Sequence, residues 1–259
     1  MLLWLLGCPT PVEDTSVGPR CTAQDDQVLL DGEEVASLAE AVEQATPWST
    51  LCLGAGEYRV TNEMEFARHD VVPGKVELHG VGPETRLIST EATPTAIGSP
   101  DHLELADLTL AGVSVFGGSM RVLDVRVEST NVLYSNRGTA RNADLDDVRL
   151  WGRWTLEEGV SVSRMELDDA VLRGLYVEAA DDVAVTVRSP SVLIESRLVG
   201  NPVGAVGIQP GAALEIVDVS FEGNGCDLGI LEADAGLKCT QETLGHVEAL
   251  VCDDQGTCR

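Results

Sequence analysis

Leu105 to Gly112 reads LADLTLAG, and five later segments repeat its pattern: VLDVRVES from Val122, LDDVRLWG from Leu145, LDDAVLRG from Leu167, LIESRLVG from Leu193 and IVDVSFEG from Ile216. The third residue is acidic each time: Asp107, Asp124, Asp147, Asp169, Glu195 and Asp218. After it, apolar residues alternate with others, the period of two that marks a strand with one buried face. The first inward position reads Leu108, Val125, Val148, Ala170, Ser196 and Val219. The second reads Leu110, Val127, Leu150, Leu172, Leu198 and Phe221, and a turn former usually follows. The unit recurs about every twenty residues, and short apolar alternations such as VSVFG and VAVTVRS lie between. No helical period separates the strands, which argues against βαβ units. Several short strands per coil, stacked at about 4.8 Å, make a parallel β-helix with a continuous core. The fold class expected is all-β, a parallel β-helix solenoid of roughly eight coils, with the six acids in one outward column.

Composition fits that fold and narrows the partners. Apolar residues make up 44% of the 259 and aromatics only 4%, so the core is aliphatic. There are 43 acidic against 17 basic residues, a net charge of -26, and only Lys75 and Lys238 are lysines. A nucleic-acid partner is excluded, because phosphates require Lys and Arg to neutralise them. An anionic membrane surface is disfavoured for the same reason. Calcium, cationic partners or high solubility remain compatible with the charge.

The N-terminal side predicts a cap. Val28 to Val35, VLLDGEEV, reads as two short strands around an Asp31-Gly32 turn. Ser37-Leu-Ala-Glu40 is a capping box opening a helix with Leu38, Ala41, Val42 and Ala45 on one face. Pro47, the strand Leu51-Cys52-Leu53 and Gly54-Ala-Gly56-Glu-Tyr58 follow, and VELHGVGPETRLIS begins at Val76. This order of helix, turn, apolar strand and Gly-x-Tyr resembles the start of pectin-lyase-like right-handed parallel β-helix domains. The resemblance spans about residues 27–225 and implies their right-handed coil. It departs at Pro47-Trp48-Ser49, where the family commonly has Gly-Asp. Family enzymes act on polyuronates and other polysaccharides, but their Gly-His-Gly and Arg-Ile-Lys motifs are missing here.

The two ends carry the cysteines. Met1 to Cys8, MLLWLLGC, resembles the end of a bacterial lipoprotein signal peptide, with Leu5, Leu6 and Gly7 before Cys8. The resemblance implies cleavage before Cys8, acylation of that residue and a membrane anchor made of lipid alone. Seven residues without a basic n-region are short for a leader, consistent with a start upstream of Met1. Pro9 after Cys8 resembles outer-membrane sorting. The expected divisions are a signal at 1–7, a tether at 8–26, the β-helix at 27–225 and a Cys-rich cap at 226–259. Setting Cys8 aside leaves an even set, Cys21, Cys52, Cys226, Cys239, Cys252 and Cys258, suited to disulfides in an exported chain. The tail's four cysteines allow three pairings; Cys226–Cys239 with Cys252–Cys258 is favoured, and Cys21 is expected to meet Cys52.

Candidate chemistry is sparse. The acidic column could hold calcium or touch a polysaccharide, or each acid could close a bend by accepting backbone N–H bonds. Asp146, Asp147, Asp168 and Asp169, with Arg149 and Arg173, could imitate the calcium carboxylates and base of a polysaccharide lyase. Trp151-Gly-Arg-Trp154 could stack on sugar rings, or plug the core and cover a coil. The four histidines have no partner at metal-ligand spacing and read as turn or surface residues. The expectation is a monomeric envelope protein, a non-catalytic binding or structural module with a polysaccharide or protein partner. A lyase or hydrolase, or a purely structural role, is the alternative.

Overall fold

A computed structural model describes residues 21–60, 63–65, 74–89, 95–128, 131–232 and 236–259. Residues 1–20, which include the segment expected to be a signal, Cys8 and most of the expected tether, lie outside the described residues. The described residues form an all-β solenoid of about seven turns, a parallel β-helix with one short helix near its start. The sequence period suggested eight turns; the turns run to about twenty residues each, and the ends are used for caps.

Each turn has three faces, and each face contributes one rung to an inward ladder. On the first face Leu51, Leu78, Leu105, Val122, Ala140 and Leu156 stack in parallel register. On the second, Tyr58, Leu87, Leu110, Val127, Leu145 and Val162 do so. On the third the ladder runs Met64, Ile97, Val115, Leu133, Leu150, Leu167, Val187 and Ile208. All of these are buried in one continuous cluster. Alternate residues point outward because side chains on a strand alternate sides.

The corners explain the acids. Where the first face turns into the second, successive coils place Asp107, Asp124, Asn142, Gly159, Gly174, Glu195 and Asp218. Every one has positive φ, between 46° and 81°. That left-handed conformation costs an ordinary side chain 1–2 kcal/mol and is tolerated best by Gly, Asn and Asp. The sequence column is therefore corrected in part. Asp147 (φ 53°) sits at the corner from second to third face, and Asp169 (φ 49°) at the corner from third to first. The shared feature is a backbone bend and not a single stack of carboxylates.

Both ends are closed by antiparallel strands. Val28–Leu30 and Glu33–Val35 form a hairpin over Asp31-Gly32, and Val28–Leu30 pairs antiparallel with Thr50–Leu53. Helix α1, Leu38–Gln44, buries Leu38, Ala41 and Val42. The Ser37 hydroxyl accepts from the Glu40 N–H at 3.2 Å, and Glu40 accepts from the Ala36 N–H at 3.0 Å. At the other end His246–Cys252 lies antiparallel on Leu214–Glu222, and Gly236–Gln241 on Leu228–Glu232. The disulfides are Cys21–Cys52, Cys226–Cys239 and Cys252–Cys258, the pairing expected.

Candidate functional site: an aromatic row on the third face

The third face carries an outward row that the sequence repeat does not display. Gly98, Phe116, Tyr134 and Trp151 occupy equivalent positions on four successive turns. Tyr134 and Trp151 meet edge to face, their ring centroids 5.3 Å apart and their planes at 71°. Two residues earlier on the first three of these strands, Ala96, Ser114 and Val132 present short side chains. Short residues beside large rings leave a groove of about 470 Å³, walled by Phe116, Tyr134 and Trp151 and floored by Ala96, Ser114 and Val132. Trp151 is 45% exposed, apolar surface whose burial by a ligand would be favourable.

Gly98 makes the upper wall possible. A Cβ there would lie 2.2 Å from the Phe116 carbonyl oxygen and 2.5 Å from its ring, so only glycine admits the close approach.

Trp154 belongs to the core instead. It is 2% exposed, and its indole fills the space above Gly138, where a Cβ would sit 2.4 Å from the ring. Its Nε1 donates to the Trp151 carbonyl at 3.1 Å, which fixes the bulged strand that presents Trp151. Of the two tryptophans proposed as sugar platforms, one is exposed and the other supports it.

Next to the groove the same rows turn polar. Arg149 follows Val132, and Glu166 follows Arg149. Glu166 accepts from Arg149 Nε at 2.9 Å and from Arg188 Nε at 2.6 Å. Burial pushes its carboxyl upward, but the bonds from Arg188 and Arg149 outweigh it and hold it below the usual range. Asp168 follows Trp151 in the aromatic row and accepts from the Ser189 hydroxyl at 2.7 Å.

The acids read as a lyase-like set are not brought together. Val148 pairs with Met165 and Trp151 with Asp168, so Asp147 flanks one end of this strand pair and Asp168 the other. Four residues of strand separate them, roughly 13 Å. A calcium ion needs its oxygens at 2.3–2.6 Å, hence within about 5 Å of one another. Asp146 is bonded by the Ser163 hydroxyl, and Asp147 faces Arg164 at 3.5 Å. The Asp169 N–H donates to Ser189 Oγ. Arg173 lies on the first face and pairs with Glu195 at 3.4 Å, away from Arg149.

The row was hidden because Phe116, Tyr134 and Trp151 share no motif. Only the register, which sets 116 beside 134 and 134 beside 151, aligns them. Comparison with family models, curated proteins and solved structures returns no match. Among the described residues no helix is long and apolar enough to cross a membrane.

Proposed function

We propose that this chain is a non-catalytic carbohydrate-binding module of a bacterial cell envelope, gripping a polysaccharide along the third face. The observation that carries the reading is the row Phe116, Tyr134 and Trp151 beside its groove. Adjacent strands lie about 4.8 Å apart, so three rings span about 10 Å, the length of about two linked sugar rings. Apolar ring faces suit the C–H faces of sugars, and the Arg149–Glu166–Arg188 network and Asp168 offer hydrogen bonds to hydroxyls at one end. The separation of Asp147 from Asp168 favours binding over cleavage, because acid and base must reach the same bond.

The envelope location rests on two features. Three disulfides suit an oxidising compartment, and LLGC at Leu5 to Cys8 resembles a lipoprotein acylation site. Pectin-lyase-like kinship and outer-membrane sorting through Pro9 belong to the same proposal. Metabolic labelling with a fatty acid should mark the wild-type chain and not Cys8→Ser, which should be released from membranes. Labelling of both would remove the anchor from the reading.

The binding test is affinity electrophoresis of the full chain on acidic and neutral polysaccharides, with calcium and with chelator. Retardation by at least one glycan is expected, weakened about tenfold or more by Trp151→Ala and by Tyr134→Ala, the scale of a contact that dominates an interface. Retardation unchanged in both variants would remove the groove from the reading. New reducing or unsaturated ends would replace binding with catalysis.

A further inference from the structure

A cluster of a histidine and two glutamates lies on the outer side of the first face, a different face from the aromatic row and independent of the carbohydrate reading. Glu77 and His79 stand two residues apart on the strand Lys75–His79, so both point outward on the same side. The next turn pairs Glu77 with Glu104. His79 Nε2 lies 3.4 Å from Glu104 Oε1 and 3.7 Å from Glu77 Oε2. All three ligand atoms fall within 4.8 Å of one another.

Burial makes this arrangement unusual. His79 is 8% exposed and Glu104 7%, although both belong to an outward face. The His79 Nε2 atom has no hydrogen-bond partner, and leaving a buried polar atom so is unfavourable. At 3.4 and 3.7 Å the carboxylates lie beyond good hydrogen-bond length. The nitrogen is aimed at a gap between two oxygens and fills it with nothing of its own.

The carboxylates are held from behind. Lys75 Nζ sits 2.8 Å from Glu77 Oε1 and 2.8 Å from Glu104 Oε2, and Arg121 Nη1 lies 3.7 Å from Glu104 Oε2. The other two oxygens, Glu77 Oε2 and Glu104 Oε1, are thereby turned toward His79.

We propose that Glu77, His79 and Glu104 form a binding site for a first-row divalent transition metal, with zinc as the best fit. Tetrahedral zinc with bonds of 2.0–2.2 Å sets its ligand atoms about 3.3–3.6 Å apart. The distance from His79 to Glu104, 3.4 Å, falls within that edge and the one to Glu77, 3.7 Å, is about 0.1 Å longer, so the side chains close on an ion by a small movement. One nitrogen and two oxygens suit zinc, and calcium, which takes six to eight oxygens, is excluded. Water completes the shell. Lys75 and Arg121 orient the carboxylates from the second shell, the usual design of such centres.

The test is calorimetric titration of the full disulfide-bonded chain with zinc chloride, and with cobalt(II), whose tetrahedral complexes absorb strongly in the visible. One saturable equivalent and a tetrahedral cobalt spectrum are expected. His79→Gln and Glu104→Gln should each weaken binding at least tenfold and abolish the spectrum, whereas His246→Gln should leave both unchanged. Should either variant misfold, the unchanged chain still decides the matter. Its thermal midpoint should rise with zinc and not with equal magnesium or calcium. Zinc uptake equal in wild type and a folded His79→Gln, or no zinc-specific rise in midpoint, would overturn the site and leave an ion pair between histidine and carboxylates.

Discussion

Glu195 and Trp48 hold left-handed backbone with side chains that gain little from it. Glu195 has φ 46° in a column where neighbours are Asp, Asn or Gly, and Trp48 has φ 80° with its ring 70% exposed. Glu195→Asn should stabilise the fold by a few tenths to about 1 kcal/mol, because Asn is favoured in this conformation and the exposed pair with Arg173 contributes little. Asp124→Val, at the same corner, should cost about 1–2 kcal/mol, since a β-branched residue is strained there. Urea midpoints would rank the two. Trp154→Ala should cost about 3–5 kcal/mol by emptying the core above Gly138. Trp154→Ala should also weaken ligand binding in the fraction that remains folded, because it removes the bond that holds the Trp151 carbonyl. The acids were legible as a pattern, and so was the bend that motivates them. Their column was not, because an Asn or a Gly meets the same backbone requirement and breaks the spacing that a search for acids follows.

Strands of the first face bring His79 beside Glu104, and this pairing gives the element its pH response. The folded Glu104 carboxyl lies at about 2 against an ordinary 4.5. A depressed carboxyl contributes stability that is fully present above about pH 4.5 and is lost as the pH falls toward 2. Acid unfolding followed by circular dichroism should therefore show a steeper loss in this window for wild type than for Glu104→Gln. Equal slopes would show that other carboxylates dominate. At this scale the sequence was informative about strand character, the hairpin at Asp31-Gly32 and the capping box at Ser37. It was silent on the outward neighbours. The spacing from Glu77 to Glu104, or from Phe116 to Tyr134, depends on how many residues each corner consumes, and corners vary between one residue and several. His79 thus read as a turn or surface residue, and Trp151 read as a candidate sugar platform while its alignment with Phe116 and Tyr134 did not.

The whole molecule carries a net charge of -26 around a linear stack. Self-repulsion on that scale opposes compaction and is screened by salt, so the thermal midpoint should rise between 10 mM and about 0.5 M sodium chloride. The repeat architecture makes contacts mainly between neighbouring turns, so damage stays local. Replacing Cys226 and Cys239 with serine should fray the C-terminal turns first. The 13-residue separation of that pair corresponds to about 3 kcal/mol in the chain-entropy estimate. Hydrogen exchange would show early loss of protection in Leu228–Glu232 and retained protection near Leu105.

Staples at both ends and a uniform stack between them also determine how the chain yields to force. Pulled from its termini, the stretch between Cys52 and Cys226, together with the short segment between Cys239 and Cys252, is free to unravel, because it lies outside every disulfide loop. Each turn of about twenty residues, once detached, releases roughly 70 Å of contour. Extension in an optical trap should then proceed as a staircase of near-equal steps, one turn peeling at a time, where a globular core of the same size would rupture in a single event.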